Sequence, residues 1–135
     1  MTIRVSETEK LKNDSAYQTF LNNNPGMGNV KVRATSASEA FPVSGVSVTV
    51  SKVIGDNTII FFEGKTDESG MINGIKLPTP SKNTNDLEVP IFTTYNLRAV
   101  YNPDQFDKTY DIALCCGIGA VQYINITPKI NPEVN

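Results

Sequence analysis

Pro42-Val43-Ser44-Gly45-Val46-Ser47-Val48-Thr49-Val50, Gly64-Lys65-Thr66-Asp67-Glu68-Ser69-Gly70 and Tyr95-Asn96-Leu97-Arg98-Ala99 are the segments between Pro42 and Tyr101 that decide the fold. In the first and third, apolar residues recur at every second position, the spacing that places Val46, Val48 and Val50, or Tyr95, Leu97 and Ala99, on one face of a strand. The middle segment is an acidic turn ending in glycine. Strands of this kind cut by polar turns spell a small Greek-key β-sandwich.

The same period extends outward on both sides. Val30, Val32 and Ala34 alternate with Lys31 and Arg33, giving a half-buried strand that starts near Asn29. Gly55-Asp56-Asn57 is a hairpin signal leading into Ile59 to Phe62, a continuous apolar run that reads as a strand covered on both sides. Met71 to Leu77 follows the acidic turn. Asn102-Pro103-Asp104 turns the chain from Tyr101 into Phe106 to Leu114. Ala120, Gln122, Ile124 and Ile126 share a face of the last strand, which stops at Pro128. Seven strands at this spacing predict an all-β, seven-stranded antiparallel sandwich over residues 28–128, with a tail at 129–135. Residues 78–91 hold Pro78, Pro80 and Pro90 among polar residues and read as a long surface loop.

Residues 1–27 read as an N-terminal arm. Ser6 and Glu9 fit a capping box over a short helix at 7–13. Asp14 or Ser15 caps a second helical turn whose Tyr17, Phe20 and Leu21 form an apolar face. Asn22-Asn23-Asn24-Pro25-Gly26 ends it. So short a helix is marginal alone, so the face docks either on its own sandwich or on a neighbouring subunit.

Composition narrows the function classes. Twelve basic and fourteen acidic residues leave a net charge of −2, too balanced for a nucleic-acid footprint or a membrane-surface patch. The chain has no histidine, which removes the commonest general base and metal ligand together. Its two cysteines, Cys115 and Cys116, are adjacent, and the strain of bridging neighbours favours a reduced pair. The start has no apolar signal segment and no run is long enough to span a bilayer, so synthesis in the cytoplasm is expected.

The order "PVSGVSVTV … GKTDESG … LP … TTYNLRAVY … ITP" resembles the transthyretin-like sandwiches that include carboxypeptidase regulatory-like and collagen-adhesin B-type domains. The lead-in Tyr17-Gln18-Thr19-Phe20-Leu21-Asn22-Asn23-Asn24-Pro25 is similar to the segment before such domains in clostridial spore-cortex-lytic and peptidoglycan-binding proteins. The resemblance implies a non-catalytic module. The lysine–asparagine crosslink of the adhesin branch is not expected, because Lys31 and Asn125 have outward parity.

Candidate chemistry is sparse. Asp67 and Glu68 read as turn residues, and Asp107, Thr109 and Asp111 as one solvated strand face. No spacing suggests calcium or zinc, and Ser44-Gly45 lacks a nucleophile-elbow context. No catalytic residue, metal or other cofactor is expected. Of Tyr17, Phe20, Phe41, Phe92 and Tyr123, two at most are expected at the surface. Interface candidates are Tyr17, Phe20 and Leu21 in the arm, with Leu87, Val89 and Phe92 in and beside the long loop. The sequence thus predicts a non-enzymatic structural subunit whose partners are protein subunits of a larger assembly, its own copies included. A phage tail, baseplate or capsid decoration protein is the leading form. A spore or cell-wall module binding peptidoglycan, or a calcium-stiffened adhesin domain, is the alternative. Neither nucleic acid nor membrane is an expected partner.

Overall fold

Residues 1–36, 40–81, 92–115 and 119–127 are described by a computed structural model. Thr2–Arg4 forms strand β1, Thr8–Lys12 helix α1 and Ser15–Asn23 helix α2. Strands β2 to β9 then run Gly26–Ser36, Phe41–Pro42, Ser47–Ile54, Asn57–Lys65, Met71–Thr79, Thr93–Tyr101, Phe106–Leu114 and Ala120–Ile126. One sheet has the order β1-β5-β4-β7-β8, and the other gathers β3, β6 and β9 around β2. The all-β sandwich expected from the alternation is what forms.

Its interior is filled by the residues that the period of two assigns there. Val30, Val32, Ala34, Val46, Val50, Leu77, Tyr95, Leu97, Ala99, Ile124 and Ile126 are all fully buried. Most are β-branched or aliphatic residues whose burial is worth about 1.5–3 kcal/mol each for Val, Leu and Ile. Asp67 shapes the acidic turn, its Oδ1 accepting from the N–H groups of Ser69 and Met71. Gly70 takes φ +74°, and a Cβ there would collide with the Ala34 carbonyl. Only glycine fits that position without strain.

Two departures from the sequence expectation concern pairing. Among the described residues nine strands form rather than seven, and two pairings are parallel. β1 pairs parallel with β5, from Thr2 opposite Thr58 to Arg4 opposite Ile60, and β9 pairs parallel with β2. A three-residue strand with one inward residue, Ile3, has no alternation to detect.

The arm is therefore part of the sandwich. Ile3, Leu11, Ile54 and Ile59 form a second buried cluster, against which Val5, Ala16, Tyr17, Phe20 and Phe61 pack. The run Ile59 to Phe62 is not covered on both sides: a bulge at Phe61, between the pairs Val50–Phe62 and Ser51–Ile60, lets Ile59, Phe61 and Phe62 all join the buried clusters while Ile60 does not. The Ser6–Glu9 capping box does not form. Glu7 is the N-cap residue of α1 but its carboxylate does not cap the helix, instead accepting from the Arg4 N–H at 2.7 Å. Asp14 caps α2 through the Tyr17 N–H at 3.0 Å and accepts from Asn57 Nδ2 at 2.9 Å, which pins the helix start to β5. At the other end Asn24 Nδ2 donates to the Phe20 carbonyl, and Thr93 Oγ1 donates to Asn24 Oδ1.

Candidate functional site

Of the six candidate interface residues, Tyr17, Phe20, Leu21 and Phe92 fall among the described ones. Tyr17, Phe20 and Leu21 are half-buried on α2, and the first two are spent on an internal ring cluster. Phe20 and Phe61 both meet Tyr95 edge-on, with centroids 6.4 and 5.2 Å away, and Tyr17 lies against both of them. Of the two docking options, the arm takes its own sandwich. Phe92 is exposed just before β7. Leu87 and Val89 lie outside the described residues, as does most of the long loop. Phe41, Phe92 and Tyr123 are all exposed, three aromatics where two at most were expected, because strand parity sends Tyr123 outward and Phe41 sits on a two-residue strand.

Several acidic residues are engaged locally. Asp107, Thr109 and Asp111 do face solvent. Across the strand pair, Arg98 grips Asp107 with two hydrogen bonds of 2.9 and 2.6 Å, and this holds the Asp107 carboxyl below its usual range. Toward the other edge of the sheet, Arg4 Nε meets Glu63 Oε1 at 2.5 Å. That pair lies between two shallow clefts, one lined by Arg4, Val5, Ser6 and residues 60–63, the other by residues 47–49 and 63–65. The guanidinium keeps Glu63 acidic, so neither cleft has a carboxylate poised as a base at neutral pH. No cluster of three or more His, Cys, Asp or Glu occurs among the described residues. Cys115 carries a disulfide, against the strain argument that favoured a reduced pair, and Cys116 lies outside the described residues.

The outer face of the β2 sheet is different. Lys31 and Arg33 point outward between the buried Val30, Val32 and Ala34. Lys76 is exposed on β6, opposite Asn29. On β9, Val121 stands opposite Lys31, Tyr123 opposite Arg33 and Asn125 opposite Thr35. Same-face neighbours along a strand, or diagonally across a pair, are about 7–8 Å apart, so the three cations share a small field. No described strand position on this face holds an acid, and none of the three cations makes an ion pair among the described residues. Met27, Val121 and Tyr123 supply exposed apolar surface to the same face. Lys31 and Asn125 both lie outside the core, as their parity required.

Such a face can hold an anion by charge, orient its oxygens through the Arg33 fork and stabilise negative charge that develops during a reaction. Proton transfer would have to proceed without imidazole. The alternation of Lys31 and Arg33 was visible in the sequence. Their convergence with Lys76 and Tyr123 was not, since it depends on β6 and β9 choosing the two sides of β2.

No protein-family model and no curated protein sequence matches the chain. Solved structures do share its fold. A 5-hydroxyisourate hydrolase from Klebsiella pneumoniae superposes with a TM-score of 0.50 at 16% identity, over 75% of this chain and 90% of that one. An (S)-allantoin synthase superposes with a TM-score of 0.51 at 6% identity, over 83% of this chain and 44% of that one, so the chain spans less than half the synthase's length. The chain thus has the transthyretin-like fold. The narrower carboxypeptidase regulatory-like, collagen-adhesin and spore-cortex links gain nothing from these matches. The expectation of a non-catalytic assembly module, and with it that of no enzyme, is contradicted by these two neighbours, both of which are enzymes.

Proposed function

We propose that the protein is an enzyme of the transthyretin-like fold that binds a small anionic substrate on the outer face of the β2 sheet. The observation that carries this reading is the cationic trio Lys31, Arg33 and Lys76, unpaired by any described acid and flanked by Tyr123. The enzymatic character of the two solved neighbours supports it. In this reading Arg33 receives a carboxylate or enolate oxygen, Lys31 and Lys76 add charge stabilisation, and Tyr123 with Val121 gives a ring-shaped substrate an apolar floor.

The test is a binding and turnover screen against small anions, with 5-hydroxyisourate among the substrates. Saturable binding should weaken at least several-fold in Arg33→Ala and further in Lys31→Ala/Arg33→Ala, with melting temperature unchanged. Absence of both binding and turnover across the screen would remove the proposal, as would binding that ignores these substitutions.

A further inference from the structure

Asn73-Gly74 is the one Asn-Gly pair in the sequence, and the fold takes it out of the regular ladder. Val30 pairs with Ile75 and Val32 with Ile72, so Asn73 and Gly74 together oppose the single residue Lys31. This is a β-bulge, whose extra residue is freed from the ladder. Gly74 sits at φ +77°, and no atom lies within 4 Å of where its Cβ would stand. Both residues are exposed on the outer face that carries Lys31 and Lys76.

These features favour an intramolecular reaction. We propose that Asn73 is a site of spontaneous deamidation in the folded protein, converting a neutral amide into a carboxylate opposite Lys31. The backbone nitrogen of Gly74 attacks Cγ of Asn73, forming an N–Cγ bond. The bond from Cγ to Nδ2 breaks, and ammonia leaves carrying the proton that the Gly74 N–H surrenders. Water then opens the five-membered imide. Addition at Cγ gives aspartate, and addition at the backbone carbonyl carbon of residue 73 gives isoaspartate. The net change is one water in and one ammonia out, with no oxidant or catalyst.

Glycine matters because any Cβ would shield the attacking nitrogen. Asn24, Asn102 and Asn131 precede prolines, whose nitrogen carries no proton to lose. The new charge would sit among the cations of the outer face and reduce its field.

The folded protein is incubated at neutral pH in ¹⁸O-labelled and ordinary water, then cleaved with trypsin. The peptide from Thr66 to Lys76 contains Asn73 as its only amide residue, so a gain of one mass unit in ordinary water, with label uptake in heavy water, assigns the site. Two product isomers are expected, appearing before conversion in any other asparagine-containing peptide. Asn73→Gln should leave this peptide unchanged. An unmodified peptide from folded protein beside a converted one from protein held in urea would overturn the proposal, as would conversion of all asparagines at similar rates. This readout is independent of the ligand proposed above. If that reading also holds, Asn73→Asp should weaken anion binding several-fold while Asn73→Gln does not.

Discussion

The Tyr95 hydroxyl donates to the Pro78 carbonyl, joining the interior of one sheet to a strand of the other. Burial, with a smaller contribution from nearby Tyr17, pushes the Tyr95 phenol far above its ordinary pKa, so it stays a donor. Tyr95→Phe keeps the ring contacts with Phe20 and Phe61 and removes only the bond between sheets. The expected loss is about 1 kcal/mol, read as a drop of roughly 3–6 °C in melting temperature. Tyr95→Ala should cost about 3–5 kcal/mol, because the ring cluster loses its centre.

Acid should destabilise the fold through four surface carboxylates. Asp14 is held low first by the Tyr17 N–H and then by Asn57, Glu7 by the Arg4 N–H and then Lys10, Glu63 by Arg4 and Asp107 by Arg98. Each has a lower pKa folded than unfolded, so the unfolded state binds more protons as pH falls. Their stabilisation is complete above the ordinary carboxylate range and is lost as pH drops through the folded values. Melting temperature should stay level from neutrality to about pH 5 and decline below it. Asp14→Ala should show a smaller acid-induced drop and, at neutral pH, a melting temperature lower by a few degrees from the missing cap.

Gly70 and Gly45 both have positive φ but differ in surroundings. Gly45 has open space where a Cβ would stand, whereas Gly70 faces the Ala34 carbonyl and Pro42. Gly45→Ala should cost about 1–2 kcal/mol, the backbone cost alone. Gly70→Ala should cost clearly more, since β2 must also shift. Urea denaturation of the two variants reads the difference, and equal losses would show that the turn yields freely.

Thr79 is fully buried, and its hydroxyl has no hydrogen-bond partner among the described residues. Thr79→Val replaces that hydroxyl with a methyl of similar shape. Stability should hold or rise by about 1 kcal/mol, because an unpaired buried donor is removed at little packing cost. A loss of similar size would reveal a partner for the hydroxyl.

Local periodicity made the sandwich legible. Val46, Val48, Val50, Tyr95, Leu97 and Ala99 needed only their spacing to be placed inside, and Asp67 with Gly70 needed only turn chemistry. Asp14 and the apolar face of α2 were equally visible. Long-range choices were not. Nothing in Thr2-Ile3-Arg4 says that it pairs parallel with Thr58 to Ile60, and nothing local to Lys76 says that it joins Lys31 and Arg33. The candidate site was hidden for the same reason: Lys31 and Arg33 share β2, but Lys76 of β6 and Tyr123 of β9 join them only through strand pairing.

The parallel pairing of β1 with β5 has a consequence for the order of assembly. β1 precedes its parallel partner β5 in the chain and has no seat until the β4–β5 hairpin exists, so β1 is the last to settle. Such a late addition should also be the first to lift away, which hydrogen exchange would record as earlier opening at Ile3 and Leu11 than at Leu97. The leading segment thus works as a latch: it closes over β5 after the rest is built, and the body beneath should tolerate its brief release.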